Sequence, residues 1–101
     1  MNYVYADESP YHPGKFMIRF NFDKLPLTST NGSYNVLSAR LLGLTYADYL
    51  RYCRDVCGAE LVGKGCLYPV PYFQKGTKME SLIKLLNSNI EKIFEEEKEN
   101  D

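Results

Sequence analysis

Large apolar and polar side chains alternate one for one from Lys15 to Asp23. Phe16, Ile18, Phe20 and Phe22 fall on one face of an extended chain, with Met17, Arg19 and Asn21 on the other. A slip of one residue would turn four large side chains from core to water, so the register of this strand is strongly specified. Residues 2–14 begin with a short alternating piece and lose regularity where Pro10, Pro13 and Gly14 mark a turn. Leu25 to Gly32 reads as a polar connector, and Ser33 suits the N-cap of a helix.

The period then changes from two to 3.6. Tyr34 to Leu42 predicts a short helix with Tyr34, Leu37 and Leu41 in one stripe and Val36 and Leu44 beside it. Gly43 suits the left-handed residue that closes it. Thr45 suits the N-cap of a second helix, with Asp48 three residues on. That helix, Tyr46 to Cys57, carries Tyr46, Tyr49, Leu50, Cys53, Val56 and Cys57 on one face. Ala47, Asp48, Arg51, Arg54 and Asp55 point elsewhere, and Gly58 ends it. Extended runs at 59–62 and 66–73 flank Gly63-Lys64-Gly65 and predict a hairpin. Pro69 and Pro71, two apart, would leave missing donors along one side, which predicts an edge strand.

Thr77-x-x-Glu80 then opens a long helix as a capping box, with Leu82, Ile83, Leu86, Ile90, Ile93 and Phe94 as its apolar face. Ile83, Leu86, Ile90 and Ile93 have heptad spacing, which serves either a core or the seam of a homodimer. Glu95–Glu97 oppose the helix dipole, so residues 95–101 read as a frayed acidic tail.

Composition changes this picture little. The 101 residues fit one domain, 45% are hydrophobic, and the net charge is −1. The charge is uneven. Residues 31–78 hold six bases against three acids, and residues from 79 onward hold three lysines against seven acids. A mildly basic centre permits contact with nucleic acid without demanding it. The three cysteines, with no signal peptide and no apolar run of membrane-spanning length, predict a cytoplasmic protein with free thiols. Nine tyrosines and no tryptophan are unusual. They belong either to half-buried sheet faces or to an adhesive surface.

The pair Ala39-x-x-x-Gly43, with Leu42 and Leu44 flanking the glycine and Tyr49 and Tyr52 following, resembles the helix-turn-helix of small DNA-binding proteins. With the 63–65 hairpin it looks most like the winged modules of excisionase-type proteins. The resemblance spans roughly Tyr34 to Phe73. It implies that the second helix enters the major groove, with Thr45, Tyr46, Ala47, Arg51 and Arg54 toward DNA and Lys64 at the wing tip. Ser38 and Leu50 depart from the pattern, as do Asp48 and Asp55 near any phosphates.

Other chemistry is thinly marked. Cys53, Cys57, Cys66 and His12 make a formal four-ligand zinc set, though their spacing matches no usual knuckle and buried free cysteines are common. His12 is the only histidine, and no nucleophile lies near it in sequence. Gly63-x-Gly65 is a turn, not a phosphate loop. The sequence therefore predicts no enzyme and no cofactor. The expected architecture is a single α+β domain. It has a small antiparallel sheet (Lys15–Asp23 and the 59–73 hairpin, with residues 2–6 available as a fourth strand), a helix-turn-helix-like pair and a long C-terminal amphipathic helix. Two functions are expected to compete. The leading one is a small non-enzymatic DNA-binding regulator that uses the 46–57 helix and the 63–65 hairpin tip. The other is an accessory or inhibitor protein, in the style of small phage and mobile-element proteins. It would bind another protein through Tyr3, Tyr5, Tyr11, Tyr68 and Tyr72.

Overall fold

The computed structural model describes residues 3–21, 34–63 and 69–99, with side chains through residue 93. The connector 25–32, Phe22, Ser33, Lys64, Cys66, Tyr68 and the Phe94 side chain lie outside the described residues. The elements run β1 (Val4–Glu8), β2 (Lys15–Phe20), α1 (Tyr34–Leu41), α2 (Tyr46–Asp55), β3 (Glu60–Val62), β4 (Val70–Gln74) and α3 (Thr77–Glu99). This is the expected α+β class, with the fourth strand present. Strand β1 runs on to Glu8, past the alternating 2–6 piece, because all five of its residues find partners on β2, from Val4↔Phe20 to Glu8↔Phe16.

The sheet is antiparallel in the order β1-β2-β4-β3. The two prolines therefore do not mark an edge strand, because β4 is internal. Strand β2 meets β4 only at Lys15↔Gln74 and Phe16↔Phe73, while β3 pairs with β4 from Glu60↔Tyr72 to Val62↔Val70. Pro71 sits opposite Leu61, beyond the end of the β2 ladder. An internal strand tolerates a residue without an N–H where one neighbour has already stopped. The Val62↔Val70 register joins β3 and β4 as a hairpin, and residues 64–68 of its connection lie outside the described residues.

The register places Val4, Ala6, Phe16, Ile18, Phe20 and Phe73 on one face of the sheet, and these residues join the core. Helix α3 covers β1, α1 covers β2, and α2 lies over β3 and β4. Met79, Leu82, Leu86 and Ile90 form the buried stripe of α3. The heptad positions Leu86 and Ile90 thus lie inside the chain's own core, while Leu85 stands 42% exposed. Helix α3 begins one residue before the capping box implies, since the Glu80 N–H donates to the Gly76 carbonyl at 3.1 Å. It continues helical through the acidic run to Glu99. No described helix is long and apolar enough to cross a membrane.

One core group is out of place. Tyr49 is fully buried, and its hydroxyl lies beside Ser38 and Cys53 without a proper hydrogen-bond geometry. Ser38 instead donates to the Tyr34 carbonyl at 3.0 Å. Burial holds the phenol far above its ordinary pKa. Removing an unsatisfied buried hydroxyl relieves a desolvation penalty. Tyr49→Phe is accordingly expected to stabilise the fold by about 0.5–1 kcal/mol in urea unfolding, against the usual sign for a core substitution.

Candidate interaction surfaces

The α1–α2 corner forms as the local sequence dictates. Gly43 takes φ +70°, the left-handed value at which a glycine carries no Cβ penalty. The Gly43 N–H donates to Arg40 O at 3.0 Å and the Leu44 N–H to Ala39 O at 2.9 Å, a Schellman closure. Thr45 caps α2, its hydroxyl accepting the Asp48 N–H at 3.2 Å. Tyr49, Leu50, Cys53 and Cys57 are buried beneath the helix. Val56, expected on that face, is exposed because the helix ends at Asp55 and Val56 sits in its cap at the margin of the stripe.

Of the residues expected to face DNA, Tyr46, Arg51 and Arg54 have partners within the molecule, and Lys64 lies outside the described residues. Tyr46 donates its hydroxyl to the Pro69 carbonyl at 2.7 Å, tying α2 to the start of β4. Arg51 pairs with Asp48 at 2.9 Å. Arg54 forks onto both carboxylate oxygens of Asp55, at 2.8 and 3.3 Å, and holds that carboxyl below its usual pKa. Exposed pairs of this kind hold weakly, by about 1 kcal/mol or less, so the decisive quantity is the balance. Asp48, Arg51, Arg54 and Asp55 sum to zero charge on the exposed face of α2. Phosphate binding requires a surplus of positive charge.

The second surface is the sheet face turned away from the helices. By register it carries Tyr5, Asp7, Met17, Arg19 and Lys15 from the first two strands, and Glu60, Val62, Val70, Tyr72 and Gln74 from the others. No described helix packs on it. Its charges are matched across strands: Arg19 to Asp7 at 2.7 Å, and Lys15 on β2 to Glu60 on β3 over the intervening β4. The Arg19 guanidinium lies 5.5 Å from the centre of the Tyr34 ring. His12 tilts against Tyr72 with ring centroids 4.9 Å apart. Tyr5 is 44% exposed and Tyr11, in the β1–β2 loop, 86%. Of the expected tyrosine set, Tyr3 is corrected: it is buried at the head of β1, where its N–H is held by α3.

The described members of the formal zinc set, His12, Cys53 and Cys57, do not gather, and Cys66 lies outside the described residues. His12 lies on the Tyr72 ring, whereas Cys53 and Cys57 are buried thiols of the core. Among the described residues no three His, Cys, Asp or Glu side chains are grouped to hold a metal ion. Burial pushes the Cys53 thiol up to about 12, and Cys57 is raised by the same cause. An unfolded thiol titrates near about 8.5, so above that pH the unfolded chain sheds protons that the folded chain keeps. Stability contributed by these thiols is therefore complete below about pH 8.5 and falls as pH rises toward 12. Each thiol adds a slope of up to about 1.4 kcal/mol per pH unit. Urea titrations between about pH 8 and 9, below the ordinary tyrosine range, are expected to show the onset of this slope, and Cys53→Ala to lose its share.

Sequence reasoning missed two asparagines of α3. Asn87 Oδ1 accepts the N–H groups of Tyr3 and Val4 at 2.8 and 2.9 Å, and its Nδ2 donates to the Val4 carbonyl at 3.2 Å. Asn89 Nδ2 donates to the Leu41 carbonyl at the end of α1, at 2.9 Å. The available signal was polarity: Asn87 is half-buried on a helix whose inward stripe is otherwise aliphatic.

The fold and these surfaces define a small α+β domain with one sheet face covered by helices and the other carrying aromatic rings and paired charges. No family model, no curated protein and no solved structure matches the chain.

Proposed function

We propose that this chain is a protein-binding module that applies the sheet face opposite its helices to a partner protein, with Tyr5 and Tyr72 as anchors and Tyr11 at the rim. One observation carries the reading: the face opposite the helices presents rings and Met17 among charges that are already paired. Tyrosine, methionine and arginine are enriched at protein interfaces, and unpaired charge is depleted from their centres. Tyrosine also supplies contact area at little entropic cost. A neutral face of this kind suits a protein better than a polyanion, and the exposed side of α2 is no more basic.

The test places a photo-reactive phenylalanine at Tyr5, Tyr72 or Arg51 in cells that make the protein. The expected result is one common cross-linked partner from Tyr5 and Tyr72 and none from Arg51. With that partner in hand, Tyr72→Ala is expected to weaken binding by about tenfold or more, as for a central aromatic anchor. Binding to a random duplex is measured beside it at two salt concentrations. A steep salt slope that shrinks in Arg51→Ala/Arg54→Ala would overturn the reading in favour of DNA.

A further inference from the structure

We propose that the outer edge of β1 is a strand acceptor, which takes an extended segment of another protein as a new antiparallel edge strand. This goes beyond the sheet-face reading and stands on backbone geometry. Tyr3 O accepts the Asn21 N–H and the Ser9 N–H donates to Lys15 O, so the odd-numbered residues of this strand bond to β2. Val4, between them, turns its N–H and C=O outward to Asn87. By the same alternation Ala6 and Glu8 direct their N–H and C=O groups outward. There β1 is the edge of the sheet, and no described residue pairs with them. Asn87 closes the ladder at Val4, so an added strand has a defined end and a defined register.

The edge also states what it accepts. A cavity of about 280 Å³ lies between Ala6 and the first turns of α3, with Ile83 in its wall and Glu80 and Lys84 beside it. A ligand residue opposite Ala6 points its side chain into this cavity, which has room for one large apolar group. The preceding ligand residue then falls opposite Asp7, and the following one opposite Tyr5. With Asp7 already paired to Arg19, the edge keeps the negative charge of Glu8, and β1 carries no base. The matching segment is therefore basic, then aliphatic, then aromatic. A second copy of this chain fits poorly. The register that uses both Ala6 and Glu8 sets Asp7 against its own copy, and like charges directly opposite are destabilising. The alternative register, centred on Ala6, needs the Val4 groups that Asn87 already holds.

The probe is the peptide acetyl-Thr-Val-Lys-Ile-Tyr-Val-Thr-amide, titrated into the ¹⁵N-labelled full chain. Its isoleucine faces Ala6, its lysine Asp7 and its tyrosine Tyr5. On saturation the Ala6 and Glu8 amides are expected to shift and to slow in exchange by about tenfold or more. Methylating the isoleucine backbone nitrogen, which faces β1, is expected to abolish binding. Methylating the lysine nitrogen, which faces away, is expected to leave it intact. Ala6→Pro removes only an outward donor, a change that edge strands accept, and is expected to lose the peptide while keeping a native spectrum. The proposal is overturned by any of three results: no binding at millimolar peptide, binding indifferent to which nitrogen is methylated, or shifts confined to the Tyr5–Tyr72 face. The last would leave the sheet-face reading standing alone.

Discussion

Asn87→Ala is expected to destabilise the fold by about 2–4 kcal/mol, measured by urea unfolding. One side-chain amide here satisfies two N–H groups and one carbonyl of β1, all partly buried. The loss of each bond is modest, but the backbone groups left behind under α3 pay a desolvation cost that water cannot fully recover. The effect is also local. β1 is an edge strand, so its amides are expected to exchange faster than those of β4 even where the variant remains folded. Asn89→Ala, which removes one bond to the end of α1, is the internal comparison at about 1 kcal/mol. Equal losses from the two variants would contradict the clamp assigned to Asn87.

Leu86→Ala is expected to cost about 3–4 kcal/mol, and Leu85→Ala less than about 0.5. The two leucines are neighbours in sequence and differ in one respect: Leu86 is 0% exposed and Leu85 is 42% exposed. Leu86 sits in the aliphatic stripe with Leu82 and Ile90, where truncation leaves a cavity as well as removing buried methyl groups. The same pair separates the two uses of the heptad pattern. If the stripe is core, the unfolding midpoint is independent of protein concentration. A homodimer seam would make it rise with concentration and would make Leu86→Ala weaken association. Concentration-independent midpoints for the wild type and both variants are the expected outcome.

Much of the local structure could be read directly from residue order. The Gly43 corner, the Thr45 cap, the buried stripes of α2 and α3 and the alternating β2 all stand where expected. Each depends on residues within a turn or two of one another. Where the sheet departs from expectation, the deciding partners lie far apart in the chain. Two prolines argued for an edge strand, but β2 stops pairing before it reaches Pro71, and no local pattern records where a neighbour ends. Arg51 and Arg54 are a local matter, since their acids lie three residues and one residue away. Asp48 and Asp55 were visible beside them, yet only side-chain placement showed the pairs closed. Tyr3, Tyr5 and Tyr72 were alike as letters, and the sheet register and α3 separated the buried one from the two that face outward.

Sequence alone determined the three helices, their approximate starts, the buried stripes of α2 and α3 and the α+β class. These follow from dihedral preferences and periodicity, which act over a few residues. Tertiary structure decided the strand order, the tie from Asn87 to the head of β1 and, among the described residues, which sheet face carries no helix and which edge carries no strand. Those features depend on which distant backbone groups meet. A hydrogen bond between residues 4 and 87 leaves no trace in the spacing of either one's neighbours.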